Sequence, residues 1–442
     1  MLTISLLVLL SIVLIVVLTS WTKLNAFAAL FIVALMLAMV TLPGKNVVEI
    51  LKQGFGSTIA SIGFLIIFGA IIAVVLEQSG GAESIANAIF RKTGRKRAAE
   101  AMGITGFIVG FPIFCDSGYI IMSQLAKTFS AKAKIVLPLI AFVLATALYS
   151  VHCLVPTHPG ALAASGIIGA NIGLLILLGT LFAIPAAIAA FLWIKWRTKN
   201  MKYIEDKEEN SEINVIDQQD LPSVTLSLLP IVVPLLLIAV GSLLGLMEFS
   251  EGSVFVESLT FIGHPIIALM IGVLLSFLLL KSRKISDLNV VFEKAIEKAG
   301  PILIVTGAGG MFGLVIKETG VGAYAGEFLL QTGLGLAVPF LIASILKTAQ
   351  GSSTVAIITA ASFVTPMLPA LGLDSETGKL LAMISMGAGS MMVSHANDSY
   401  FWVVSRFSGI SSNTTLKVYS SATIVMGITT FLCVWLASFF ML

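Results

Sequence analysis

Phe111-Pro112-Ile113-Phe114-Cys115-Asp116-Ser117-Gly118 places a carboxylate inside an otherwise apolar segment. Residues 101–113 lead into it with few polar groups and no charge, and 119–126 lead out the same way. Each arm is too short to cross a hydrocarbon core of about 30 Å, which takes about 20 helical residues. Two short apolar helices meeting at a tip between Pro112 and Gly118 therefore read as a re-entrant hairpin. Non-helical backbone survives at that depth only where protein or a water-filled cavity covers it. A second polar break follows far downstream, at Lys347-Thr348-Ala349-Gln350-Gly351-Ser352-Ser353-Thr354. Paired interruptions in corresponding places of two halves point to the binding site of a transporter.

Composition agrees. Charged residues make up 11% of the 442, against about 25% in an ordinary soluble domain. Hydrophobic residues reach 57%, many in long uninterrupted runs, so the chain reads as an all-α polytopic membrane protein in contact with lipid. The net charge of +3 says little, because the basic residues sit mostly in short loops where they set topology. No basic run with interleaved aromatics points to nucleic acid. Cys115, Cys153 and Cys433 lie in apolar surroundings without metal-type spacing, as buried free thiols would. The apolar run 2–18 has no charged leader and reads as a retained span. No motif for a metal, a cofactor, ATP or a hydrolytic nucleophile stands out, which argues against an enzyme and for transport driven by an ion gradient.

Spans are expected near 2–20, 24–42, 58–76, 171–194, 226–247, 262–280, 301–316 and 420–441. Two more begin near 135 and 379 and are broken at 155–160 and 394–399. Short amphipathic pieces, 46–54 and 289–294, precede the third span and its later counterpart. The hydrophilic stretch 195–225 reads as a cytoplasmic linker between a first membrane repeat, 1–194, and a second, 226–442. The halves match in order at a nearly constant offset. Asn46-Val47-Val48 answers Asn289-Val290-Val291, and Gln78-Ser79-Gly80 answers Glu318-Thr319-Gly320. The Asp116 tip answers the Gln350 tip, and the break at His158 answers the break at His395. Placing the basic clusters 91–97, 195–202 and 281–284 in the cytoplasm inverts one repeat against the other. The loop carrying Glu248, Glu251 and Glu257 then falls outside. Ten full crossings, two hairpins and both termini outside are the expectation.

Asp116 is the sharpest single residue, because a carboxylate at membrane depth faces a cavity or a partner and is a candidate proton carrier. It could also cap the second arm by accepting a backbone N–H, and both roles can hold together. Ser117 and Gly118 open that arm, as Ser352, Ser353 and Thr354 open its twin after Gln350 and Gly351. Such hydroxyls are ordinary helix caps, yet two helix starts converging at the midplane would offer N–H groups and positive dipole ends to an anion. Thr157 and His158 lie in a break flanked by Pro156 and Pro159. His158 is either a satisfied core donor or a ligand. His395-Ala396-Asn397-Asp398-Ser399 packs imidazole, amide, carboxylate and hydroxyl into an apolar span, with Gly387 and Gly389 as aids to its unwinding. Asp116, Asp398, His158 and His395 are the candidates for proton coupling. His264 reads as structural, Glu77 and Glu318 as solvated interface residues, and Lys347 as snorkelling or approaching an anion. Gly307-Ala308-Gly309-Gly310 reads as close helix packing rather than a phosphate loop.

At these motifs the chain resembles the gluconate permease (GntP) family of secondary transporters in the ion transporter superfamily. The resemblance spans nearly the whole length and is strongest in 54–81, around Asp116, in 155–160 and in 350–405. It implies proton-coupled symport of gluconate or a related sugar acid into the cell across a bacterial inner membrane. It also implies a homodimer whose transport part is built around the hairpins and broken spans, and elevator motion of that part stays open beside rocking. One departure bears on the substrate. Gluconate-type members are expected to carry an aromatic-Glu pair at the first tip, where this chain has Cys115-Asp116-Ser117. Glycerate, another hydroxy acid or serine thus stay open beside gluconate, and sodium coupling through freed carbonyls and hydroxyls stays open beside protons.

Overall fold

A computed structural model describes residues 2–203, 221–244, 254–282, 284–321 and 335–442. Among the described residues every regular element is helical. Before residue 203 the chain forms α1 (Leu2–Ser20), α2 (Ala26–Thr41), α3 (Val47–Ser79), α4 (Gly81–Thr93), α5 (Ala98–Val109), α6 (Cys115–Ala133), α7 (Leu137–Leu154), α8 (Pro159–Ile168) and α9 (Ile172–Thr198). After 221 come α10 (Val224–Leu244), α11 (Val254–Ile262), α12 (Pro265–Ser276), α13 (Ile285–Thr319), α14 (Ala337–Gln350) and α15 (Ser353–Val364). The chain ends with α16 (Glu376–Ser390), α17 (Ser399–Ser408), α18 (Ser412–Thr415) and α19 (Ser421–Met441). Most of the expected linker, Glu248 and Glu251 of the acidic loop, and the segment before α14 lie outside the described residues.

By length and composition, six of these helices or end-to-end pairs can cross a bilayer: α3, α7 with α8, α9, α10, α13, and α18 with α19. The pair α11–α12, bent by 67°, makes a seventh. The other expected crossings correspond to α1 and α2, which are apolar but shorter, and to the broken α16–α17 segment. Lipid is the medium the surface suits. Leu181, Ile188 and Leu192 on α9, Leu236 on α10 and Trp435 and Phe439 on α19 all expose apolar side chains.

α3 and α13, of 33 and 35 residues, pack along each other. The expected separate amphipathic pieces are in fact the first turns of these two continuous helices. Asn46 caps α3 by accepting the Glu49 N–H at 3.1 Å, and Gly54 does not interrupt the helix because it is a packing point. A Cβ on Gly54 would lie 2.7 Å from Met311 Cα, and one on Gly310 would lie 1.9 Å from Thr58 Oγ1. The glycine run in α13 is thus the close helix contact its sequence suggested. Both helices end at a left-handed glycine, Gly80 with φ 74° and Gly320 with φ 70°. That is the conformation in which a residue lacking Cβ costs least.

The broken helices occupy the centre. Every residue of α7 from Ile140 onward is buried, as is α16 from Leu380 onward. α7 stops at Leu154 because Pro156 and Pro159 cannot continue it, and Pro159 then opens α8. The second break, 391–398, is longer and has no proline. Val393 adopts φ 46° there, and the Ser394 N–H is taken by Thr423 Oγ1 at 3.1 Å. Gly387 and Gly389 lie within α16 and do not unwind it. They allow close approach instead: Cβ atoms would fall 2.8 Å from the Cys153 carbonyl and 2.3 Å from the Phe340 carbonyl.

Candidate functional site

A cavity of about 370 Å³ opens between the two polar tips and the two broken helices. Four helix N-termini line it: Cys115–Ser117 of α6, Ser352–Thr354 of α15, Pro159 of α8, and Asp398–Tyr400 at the start of α17. Helix starts carry unsatisfied N–H groups and about half a positive charge each, so their convergence favours an anion. The sequence suggested two such starts; the fold brings four together.

Of the expected residues, Asp116, Ser117, Ser352, Ser353, Thr354, Asp398 and Ser399 line this cavity. Asp116 does not cap α6, whose N-cap is Phe114, and its buried Oδ1 has no hydrogen-bond partner. Ser352 does cap α15, accepting the Val355 N–H at 3.3 Å. Thr354 Oγ1 lies 3.5 Å from His152 Nε2.

The other expected residues stand behind or beside the cavity. Gly118 packs against Leu148, with room for a Cβ only 3.1 Å from it. Thr157 faces a separate small apolar pocket together with Pro112, Pro156 and Pro230. His158 is fully buried, and its Nε2 pairs with the carbonyl of Gly110 at the first tip. Gln350 has both amide atoms buried without partners. His395 and Asn397 brace the second tip, reaching the Thr348 carbonyl at 3.2 and 2.8 Å.

Two assignments change. Lys347 does not snorkel: it is 0% exposed, and the anion it meets is the Asp398 carboxylate, ion-paired at 2.6 Å. Its Nζ also donates to the Gly351 carbonyl at 2.5 Å and lies 6.0 Å from the Tyr149 ring centroid. Asp398 caps α17 through the Tyr400 N–H at 3.0 Å and accepts the Ser394 hydroxyl at 2.5 Å. Glu77 is not a free interface residue. It holds Lys298 at 2.6 Å, with the two side chains 15% and 30% exposed. Lys298 is a cavity residue the motif reading passed over, and its Nζ lies 3.4 Å from Ser117 Oγ. Glu318, by contrast, pairs with Lys45 at the surface. Tyr149, His152 and Tyr400 also line the cavity. Tyr400 donates its hydroxyl to the Ala145 carbonyl at 3.0 Å, which locks its ring. His264 is structural, capping α12 by accepting the Ile266 N–H. Cys115 and Cys153 are buried free thiols, and Cys433 is half-buried.

Comparison with known proteins covers the chain almost end to end. The model of the GntP family permease matches residues 2–440. The high-affinity gluconate transporter of Escherichia coli strain K12 is 31% identical over 405 residues, 90% of this chain and 91% of that protein. The D-serine transporter DsdX of Escherichia coli O6:H1 is 31% identical over 441 residues, 98% of this chain and 97% of that one. Among solved structures, MtrF of Neisseria gonorrhoeae, titled as illuminating a class of antimetabolite efflux pumps, superposes with a TM-score of 0.65. At 13% identity it covers 92% of this chain and 94% of its own, and shows the fold alone.

Proposed function

The chain belongs to the GntP permease family, and from that premise we propose that it is a secondary active symporter bringing gluconate or a related small hydroxy acid into the cell across a bacterial inner membrane. It is an integral membrane transporter, not an enzyme. The observation that carries the substrate class is the convergence of four helix N-termini and Lys298 on one cavity of about 370 Å³. That volume lies at the lower end of the range for small-ligand sites, which begins near 300 Å³. The substrate carboxylate sits among the N–H groups and hydroxyls of Ser117, Ser352, Ser353 and Thr354, within reach of Lys298. Its hydroxyls face Tyr149, His152 and Ser399.

Protons are the coupling ion in this reading, and Asp116 carries them. Among the four candidates, Asp398 is held by Lys347, His158 by the Gly110 carbonyl and His395 by the Thr348 carbonyl. Asp116 alone faces the cavity with a buried oxygen lacking a partner. The halves 1–194 and 226–442 are inverted repeats joined by the linker 195–225, with α5–α6 and α14–α15 as re-entrant hairpins. Support comes from the matched order of breaks and from the glycine-capped ends of α3 and α13. A homodimer whose hairpins and broken helices move together as an elevator completes the picture.

A second reading, a zwitterionic amino acid such as serine, is favoured by Asp116 facing the same cavity as Lys298, a carboxylate for an amine opposite a cation for a carboxylate. Proteoliposome uptake of labelled gluconate under an imposed pH gradient, with and without sodium and with glycerate and serine as competitors, tests both. Accumulation that ignores sodium and collapses with a protonophore is expected. Strong uptake of serine with none of gluconate selects the second reading, and no gradient-driven uptake of any of the three overturns both.

A further inference from the structure

We propose that the Lys347 ammonium is a built-in cation, filling a position at the second tip that would otherwise take a monovalent metal ion. Three features of that position are those of a cation site. Lys347 Nζ is 2.5 Å from the Gly351 carbonyl and 2.6 Å from Asp398 Oδ2. It lies at the C-terminal end of α14, where a helix presents free carbonyls and partial negative charge. Broken-helix transporters hold their cations among such carbonyls and half-helix ends.

The two halves differ at this point in a way that explains the lysine. His158 and Asp398 each stand as the N-cap residue of the short helix after a break. In the first half the imidazole reaches the Gly110 carbonyl directly. In the second half the corresponding group is a carboxylate, which has no proton to donate to the Gly351 carbonyl when ionised. Two facing oxygens need a cation between them, and Lys347 supplies one covalently. The side chain is fully buried, so the ammonium cannot exchange this place for water without moving the tip. The consequence for coupling, which rests on the transport reading above, is that no sodium ion is needed to close the second tip.

Truncating the lysine should expose the vacancy. The full chain is purified in detergent and its unfolding temperature compared in chloride salts of choline, potassium, sodium and lithium at equal ionic strength. Wild type is expected to be indifferent among the cations. Lys347→Ala is expected to be stabilised by sodium or lithium over choline by about 2 °C or more. Adding Asp398→Asn to Lys347→Ala should abolish that difference. Lys347→Gln serves as the second variant. A wild-type protein stabilised by sodium as strongly as Lys347→Ala overturns the proposal, as does a folded Lys347→Ala indifferent to all four ions. Failure of both variants to fold in sodium or lithium overturns it too, because a bound ion is expected to restore the carboxylate's partner. The readout needs no substrate, so absence of gradient-driven uptake of gluconate, glycerate and serine alike would strike the transport reading and leave this one standing.

Discussion

Lys298 Nζ lies 3.4 Å from Ser117 Oγ, joining the middle of α13 to the first turn of α6 across 181 positions of sequence. Glu77 on α3 holds the same ammonium at 2.6 Å. The cation is therefore positioned before any substrate arrives, which reduces the ordering cost of binding.

Lys298→Met keeps the apolar stem and removes the charge. A hydrogen bond to a charged group contributes about 1.5–3 kcal/mol, so the KM for a carboxylate substrate should rise about 10- to 100-fold. Maximal uptake should change much less, and Lys298→Arg should recover part of the loss. Initial-rate uptake over a substrate range checks this. An unchanged KM would place the carboxylate elsewhere.

Asp116 should separate coupling from binding. Its Oδ1 is buried and unpaired at the cavity wall, so an amide of the same shape fits there without breaking a hydrogen bond of that oxygen. Asp116→Asn is expected to lose accumulation driven by a pH gradient while retaining exchange of labelled for unlabelled substrate across the membrane. Loss of exchange as well would make Asp116 a substrate ligand rather than the proton carrier.

Much of this arrangement was legible in the sequence, and the physical reasons are specific. Pro156 and Pro159 cannot continue a helix, so the first break could be placed to within a residue or two. Asp116 and Asp398 stood out because carboxylates are costly in apolar surroundings unless they face a cavity or a partner. Lys347 was not legible. A lysine in the last turn of an apolar helix has a stem long enough to reach the surface or to fold inward. Asp398, supplied by a distant segment, decides between the two. Lys298 and Glu77 were hidden for the same reason: each resembles an interface residue, and only the packing of α3 on α13 pairs them. The extra length of α3 was not legible because Gly54 reads as a breaker when its neighbour, the Met311 backbone, is unknown, and that of α13 because Pro301 stands inside it.

Gly351 should tolerate no side chain. It has φ 82°, and a Cβ there would stand 2.2 Å from the Asn397 carbonyl oxygen, a backbone atom that cannot rotate away. The left-handed conformation alone costs an L-residue roughly 1–2 kcal/mol. Gly351→Ala is expected to insert into membranes yet lose at least about 90% of uptake, because about 1.4 kcal/mol already corresponds to tenfold. Uptake normalised to reconstituted protein is the measurement. Wild-type rates would show that the second tip is not fixed by its contact with Asn397.

Removing Asp398 should harm the protein more than removing the whole ion pair. Asp398→Ala leaves a buried ammonium facing the Gly351 carbonyl alone and also strips the cap from α17. Breaking one partner of a buried pair costs about 3–5 kcal/mol, whereas replacing both with apolar groups is often neutral or favourable. Asp398→Ala should therefore lower the temperature at which half the detergent-purified protein loses monodispersity. Combining it with Lys347→Met should restore most of the difference. The lost cap is worth about 1 kcal/mol and should remain as the residue of the effect. If the double variant is no more stable than Asp398→Ala alone, the cap and the Ser394 hydrogen bond carry the loss, and the pair itself contributes little to holding the second tip.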